Sequence, residues 1–213
     1  AGPGSFWLTL TDGSEVRCER LLLATGGNRS SAGFTIAESF GHTIEPLVPS
    51  LFTFHSDDPR LVGLSGLSVA DAAAVVAGTK LAERGPMLIT HWGLSGPVIL
   101  KLSAWGAREL ASRNYQFVVR VSFAPGRTRE DVVRELSAAR AANPRKQLAT
   151  WCPLGLPLRL WERLVAAAGL APVATWTSAG NAALGALAGQ ITAADFKIEG
   201  KSLFKDEFVT CGG

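Results

Sequence analysis

Apolar and polar positions alternate over FWLTL, residues 6–10, and Asp12-Gly13 then separates this stretch from EVRCE. That pattern predicts a β-hairpin. Its second arm runs into LLLAT, residues 21–25, a continuous apolar run of the kind a strand buried on both faces shows. GGNRSS follows, and then AGFTIAESFG, where Phe34, Ala37 and Phe40 recur at three-residue spacing and Gly41 suits a helix C′ position. Residues 20–41 therefore read as strand, glycine turn and helix. Prolines at 46, 49 and 59 restrict the next stretch to short extended pieces.

The pattern over LSVADAAAVV, residues 67–76, supports two readings. Its alanines favour a helix, while Val69, Asp71, Ala73 and Val75 fit one face of a strand. PMLIT reads as a strand and PVILKLSAWGARELA as one helix, with Ile99, Leu102 and Leu110 on its apolar side. In NYQFVVRVSF, Phe117, Val119, Val121 and Phe123 alternate with Val118, Arg120 and Ser122, which predicts a strand. From residue 128 the period becomes helical. Thr128 followed by Asp131 is an acidic relative of the capping box, and Val132, Leu136 and Ala139 line one face. Two further helices follow, within LPLRLWERLVAAAGL and SAGNAALGALAGQ, and strands return around a turn near Gly200. Trp151, Trp161 and Trp176 fall in this helical stretch and read as its core.

Composition narrows the picture. The chain has 213 residues, 47% hydrophobic and 18% charged, enough to bury a core. Its net charge of +3 comes from basic residues scattered along the chain, which argues against a nucleic-acid partner. No apolar stretch is long enough to span a membrane, and the first residues do not read as a signal peptide. Cys18, Cys152 and Cys211 are far apart and odd in number, and the three histidines lack metal-ligand spacing; a cytoplasmic setting without a metal follows.

Two features carry candidate chemistry. LLLATGG (21–27) and EFVTCGG (207–213) each end an apolar run in Thr, a small residue and Gly-Gly, where backbone N–H groups can meet a phosphate. THWGLSGP (90–97) precedes an apolar helix. Ser95 or Gly96 suits its N-cap and Pro97 its first turn, so an ordinary helix start accounts for these residues. The same geometry suits a surface for an anionic or electron-rich group, with His91 as a proton relay.

LLLATGG, AESFGHTIEPLVPSLFTF, GLSGLSV, LITHWGLSGPVILKLSAWGAREL, CPLGLPLRLWERLV and FKDEFVTCGG together resemble the BaiN-like family of bacterial FAD-dependent oxidoreductases. The resemblance implies an α+β fold: an antiparallel β-barrel insert with a small helical subdomain, flanked by remnants of a Rossmann-like FAD domain. It tips residues 67–77 toward strand. The implied layout is a FAD-domain remnant over 1–45, barrel over 46–127, helical subdomain over 128–190, barrel return strands over 191–207 and re-entry at 208–213. Thr25, Gly26, Gly27, Gly212 and Gly213 would contact FAD; Trp92, Gly93, Ser95 and Gly96 would face flavin or substrate; His91 would be catalytic. FAD, a small-molecule substrate and NAD(P)H are the implied ligands. The chain has no G-x-G-x-x-G turn, so it resembles the family's middle region and is expected to be flavin-free and inactive by itself. The competing expectation is a non-catalytic β-barrel interaction module.

Overall fold

The computed structural model describes residues 4–26, 32–202 and 209–212. They divide into two compact units, one of residues 1–47 with 212–213 and one of Val48–Cys211.

In the first unit β1 (Phe6–Thr9) pairs antiparallel with β2 (Glu15–Cys18). Asp12 closes the turn by accepting from the Ser14 N–H at 2.9 Å, and Gly13 takes φ +83° there. Helix α1 spans Ala32–Ser39. It ends in a Schellman pattern, in which the Gly41 N–H donates to Glu38 and the His42 N–H to Ala37, with Gly41 at φ +82°. The expected strand over LLLAT does not form: no described strand pairs with it, and Leu22 is 87% exposed. A strand buried on both faces needs neighbours on either side, and the described residues supply none. Of the turn expected at residues 26–31 only Gly26 is described; residues 27–31 lie outside the described residues.

The second unit begins with β3 (Val48–Ser50) and β4 (Thr53–His55). Strands β5 (Ser68–Val76), β6 (Ala82–Thr90) and β7 (Gly93–Ser95) follow, then helices α2 (Pro97–Trp105) and α3 (Ala107–Ser112), then β8 (Phe117–Ser122). Helices α4 (Arg129–Ala142), α5 (Leu158–Ala167) and α6 (Asn181–Thr192) come next, and β9 (Ala194–Ile198), β10 (Gly200–Ser202) and β11 (Val209–Cys211) close the unit. Seven strands form one antiparallel sheet in the order β10-β4-β7-β6-β5-β8-β9. Its two outermost strands, β9 and β10, are separated only by Glu199, whose N–H donates to His55. One extended run thus borders both edges, and the sheet curls into a barrel-like wall. The fold is α+β, as the sequence predicts.

β5 settles the ambiguous stretch as strand. Val69 is buried, but a bulge between Val69 and Ala72 shifts the register, so Ala72, Ala74 and Val76 point inward while Asp71 and Val75 are exposed. The face read from alternation, Val69-Asp71-Ala73-Val75, is therefore broken after its first residue. The single helix expected over 97–111 is two. Gly106 breaks it, and a Cβ there would lie 2.5 Å from Leu81 Cδ1 and 2.9 Å from the Leu102 carbonyl. Phe117, Val119, Val121 and Phe123 are buried as their alternation predicts.

The core is continuous from the sheet interior (Phe54, Ile89, Val121, Phe196) through α2 (Ile99, Leu102) to the helical part (Leu136, Leu160, Trp161, Trp176, Leu187). Thr128 and Asp131 make a full capping box at the start of α4. Among the described residues no helix is long and apolar enough to cross a membrane.

Candidate functional site

The segment THWGLSGP folds as a β-hairpin that feeds a helix. Thr90 ends β6 and pairs with Gly93, leaving His91 and Trp92 as the two-residue turn. The Thr90 hydroxyl accepts from the Trp92 N–H at 3.2 Å. His91 and Trp92 are exposed and their rings lie 4.7 Å apart, with His55 6.4 Å beyond Trp92. Gly93, Leu94, Ser95 and Gly96 then pass into the interior.

Each glycine here answers a steric demand. Gly93 has φ +137°, and a Cβ on it would meet the Phe54 carbonyl oxygen at 2.3 Å. Gly96 has φ +86°, and its Cβ would meet the Leu88 nitrogen at 2.7 Å. Both approach the chain's own backbone, in β4 and β6. Gly96, not Ser95, is the N-cap of α2, and Pro97 stands at the first helical position. Ser95 belongs to β7, where its hydroxyl accepts from Thr53 Oγ1 at 2.9 Å. Buried Val98 and Ile99 place the first turn of α2 inside the fold.

His91 and Gly93 line a cleft of about 380 Å³ with Thr90, Ser56, Asp57 and Ser65, closed on one side by Leu61 and Val62. Ser56 holds the cleft floor to the sheet: its N–H donates to the Trp92 carbonyl at 3.0 Å and its hydroxyl to the Lys197 carbonyl at 2.7 Å. Asp57 is exposed, 3.6 Å from His55 Nε2, a contact that becomes an ion pair only when His55 is protonated. The cleft therefore offers an imidazole, hydroxyls, a carboxylate and an apolar wall, a set able to hydrogen-bond a polar ligand and exchange a proton with it. Ser56 and Ser65 come from loops that carry no motif and do not stand out in the sequence, and Asp57, with Asp58, reads there as a solvated face or a cap and not as a site residue.

Next to this cleft a guanidinium joins sheet and helices. Arg60 lies over the Phe196 ring at 4.1 Å and donates to both oxygens of Asp58, at 2.8 Å and 2.7 Å. It also donates to Gln190 of α6 at 2.7 Å and to the Asp195 carbonyl. Burial pushes the Asp58 carboxyl up, but hydrogen bonds from the Arg60 side chain and N–H outweigh it, and the group titrates below the ordinary carboxylate range.

The remaining sequence-predicted site residues lie elsewhere. Thr25 and Gly26 are exposed in the first unit, and Gly26 has φ +81° with open space beyond its Cα. Gly212 has φ +113°, and a Cβ on it would meet the Pro46 carbonyl oxygen at 2.5 Å. Gly27 and Gly213 lie outside the described residues. The structure thus brings His91 and Gly93 to one cleft, leaves Trp92 exposed in the turn between them, and keeps Ser95 and Gly96 in the packed interior.

Residues 48–209 match the family described as HI0933-like protein barrel and H2TH domain. The ribosomal RNA dihydrouridine synthase of Escherichia coli is 34% identical over 161 residues, covering 72% of this chain and 38% of that protein. The Haemophilus influenzae protein of the same name is 30% identical over 158 residues, 70% of this chain and 36% of that protein. The 3-dehydro-bile acid delta(4,6)-reductase of Clostridium scindens is 33% identical over 122 residues, 54% of this chain and 30% of that protein. The chain spans less than two fifths of the length of each of these curated relatives. Two of the names specify an RNA, a partner class that the scattered charge of the sequence argues against. With the match reaching from β3 to the start of β11, the chain belongs to the HI0933-like family, whose barrel and H2TH domain it contains.

Proposed function

We propose that this chain is the substrate-side insert of a FAD-dependent oxidoreductase of the BaiN-like kind, together with adjoining pieces of its nucleotide-binding domain. The observation that carries this reading is the pairing of β3 with β11, in which Val48 lies opposite Cys211. The chain leaves for the barrel and returns from it at one place, as an insert in another domain must. Residues 1–47 and 212–213 form the other compact unit and are, on this reading, the pieces of the nucleotide domain.

The fit of FAD to the described residues is partial. Gly26, left-handed and open above its Cα, leaves room for a phosphate beside Thr25. The Cβ position of Gly212 is filled by Pro46, so Gly212 shapes the chain's return, ahead of Gly213. Bound flavin would supply the hydride, with NAD(P)H as its source. The residues of this chain would receive a polar small molecule or a base at the 380 Å³ cleft, with Thr90 and Ser56 orienting it. His91 would give a proton to the reduced substrate atom, since an imidazole both donates and accepts protons at physiological pH. Three cysteines without a disulfide accord with a cytoplasmic enzyme.

A second reading, a non-catalytic interaction module, draws support from Gly93 and Gly96, whose close approaches are to protein backbone. One experiment separates the two. His91→Ala in the full-length protein that carries this sequence is expected to lower turnover by about a hundredfold or more at unchanged bound flavin. Turnover equal to that of the parent would overturn the proton role and favour the module.

A further inference from the structure

Two segments that stand apart in the sequence have no part in the site described so far: GLSGLSV, which begins at Gly63, and CPLGLPLRLWERLV, which runs into α5. In the fold they meet. Arg159 and Arg163 lie one turn apart on α5, on the same face, and both reach Gly63. The Arg159 guanidinium donates to the Gly63 carbonyl, and Arg163 Nη2 lies 3.5 Å from the position that a Cβ on Gly63 would take. Gly63 has φ +75° and lines the same 380 Å³ cleft as His91. Two guanidiniums therefore stand at the rim of that cleft.

Their charge is unspent. Arginines elsewhere in this unit face acids, as in Arg84–Asp71, Arg113–Glu109, Arg120–Asp195 and Arg127–Glu135. Arg159 and Arg163 are both exposed, and among the described residues neither enters an ion pair. The carbonyl that Arg159 holds is neutral. Nor do the carboxylates of the cleft serve them. Asp58 is taken through both oxygens by Arg60, and Asp57 lies 3.6 Å from His55. Two like charges drawn to one residue repel each other, and an anion placed between them turns that repulsion into attraction. A guanidinium also presents its donors in a plane that matches an oxyanion.

We propose that Arg159, Arg163 and the bare backbone of Gly63 form an oxyanion subsite of the cleft, one that takes the carboxylate or phosphate group of a small molecule. Its part in catalysis rests on the reading of the cleft as the substrate pocket. Arg159 is tethered by the Gly63 carbonyl and supplies fixed charge, while Arg163 closes on the anion over the side of Gly63 that carries no side chain. A cleft of about 380 Å³ admits a small molecule that touches Gly63 and His91 together. The subsite thus fixes which end of the molecule meets the imidazole, and Arg159 and Arg163 are specificity-determining residues.

The test is protection from an arginine reagent. The full-length protein that carries this sequence is treated with phenylglyoxal, and modification is mapped by peptide mass spectrometry in the presence of benzoate, phenyl phosphate or the uncharged benzamide. Benzoate or phenyl phosphate is expected to slow modification of Arg163 by about fivefold or more at saturation, and benzamide to leave it unchanged. Arg134 of α4, whose side chain is 72% exposed, is the internal control and should react alike in all four samples. Whichever anion protects at the lower concentration identifies the group as carboxylate or phosphate. Binding of that anion, followed by ligand-observed NMR, should weaken about tenfold in Arg163→Gln, the loss of one charged hydrogen bond, with partial recovery in Arg163→Lys, which keeps the charge without the planar fork. Arg163 is exposed, so neither variant disturbs the core. Equal protection by benzamide, protection by none of the three, protection by heparin alone, or an Arg163→Gln variant that binds like the parent would overturn the proposal. Protection of Arg163 in a protein purified without flavin would leave the subsite standing and overturn the oxidoreductase reading; bound flavin without protection would do the reverse.

Discussion

Gly96 and Gly126 have the same backbone sign, φ +86° in both, but different surroundings: a Cβ on Gly96 meets Leu88 and Met87 backbone, whereas a Cβ on Gly126 meets nothing within 4 Å. Gly126→Ala is expected to cost about 1–2 kcal/mol, the left-handed strain alone. Gly96→Ala adds a clash with immovable backbone and should cost about 2–4 kcal/mol. Urea unfolding midpoints measure both, and equal losses would show that the close approach at Gly96 is not a constraint. At Arg60 the cost is electrostatic. Its side chain and that of Asp58 are 14% and 16% exposed, and Arg60→Leu strands the carboxylate and frees Gln190. With partial exposure discounted, about 2–3 kcal/mol is expected. Asp58 titrates lower in the folded state than in the unfolded chain. Its contribution is therefore complete above about pH 4, the unfolded value, and is lost as acid takes the pH down through the lower folded value. Arg60→Leu should flatten that part of the stability profile; an unchanged acid limb would show that the pair carries none of it.

Among the elements, the helix capped by Thr128 is the clearest case of local sequence dictating structure. Thr128 accepts from the Asp131 N–H at 3.1 Å while Asp131 accepts from the Thr128 N–H at 2.9 Å. Thr128→Ala should destabilise the second unit by about 1 kcal/mol, read as a lower urea midpoint; no change would mean that α4 is held by packing alone. Such signals made α1 with its Gly41 stop, the hairpin at Asp12-Gly13, the capped α4 and the alternation of β8 legible in the sequence. What was not legible has two physical sources. One is non-local pairing: LLLAT has the composition of a buried strand, but composition does not say whether neighbours are present. The other is single-residue irregularity. The bulge after Val69 reverses which side of β5 faces inward, and Gly106, where a Cβ would clash with Leu81, separates one apolar stretch into α2 and α3. The candidate site divides in the same way. THWGLSGP was visible as a special segment, but only the fold separates His91, which reaches the cleft, from Ser95 and Gly96, which serve the interior.

At the scale of the whole molecule, the account rests on Val48–Cys211 being a self-contained cassette set into a flavin-binding protein at the β3–β11 pair. The most direct measurement is the visible absorption spectrum of two purified proteins: residues 48–211 alone, and the full-length protein that carries this sequence. The account predicts flavin bands in the full-length protein and a colourless cassette. A cassette that binds flavin unaided, or a full-length protein purified without any, would contradict it.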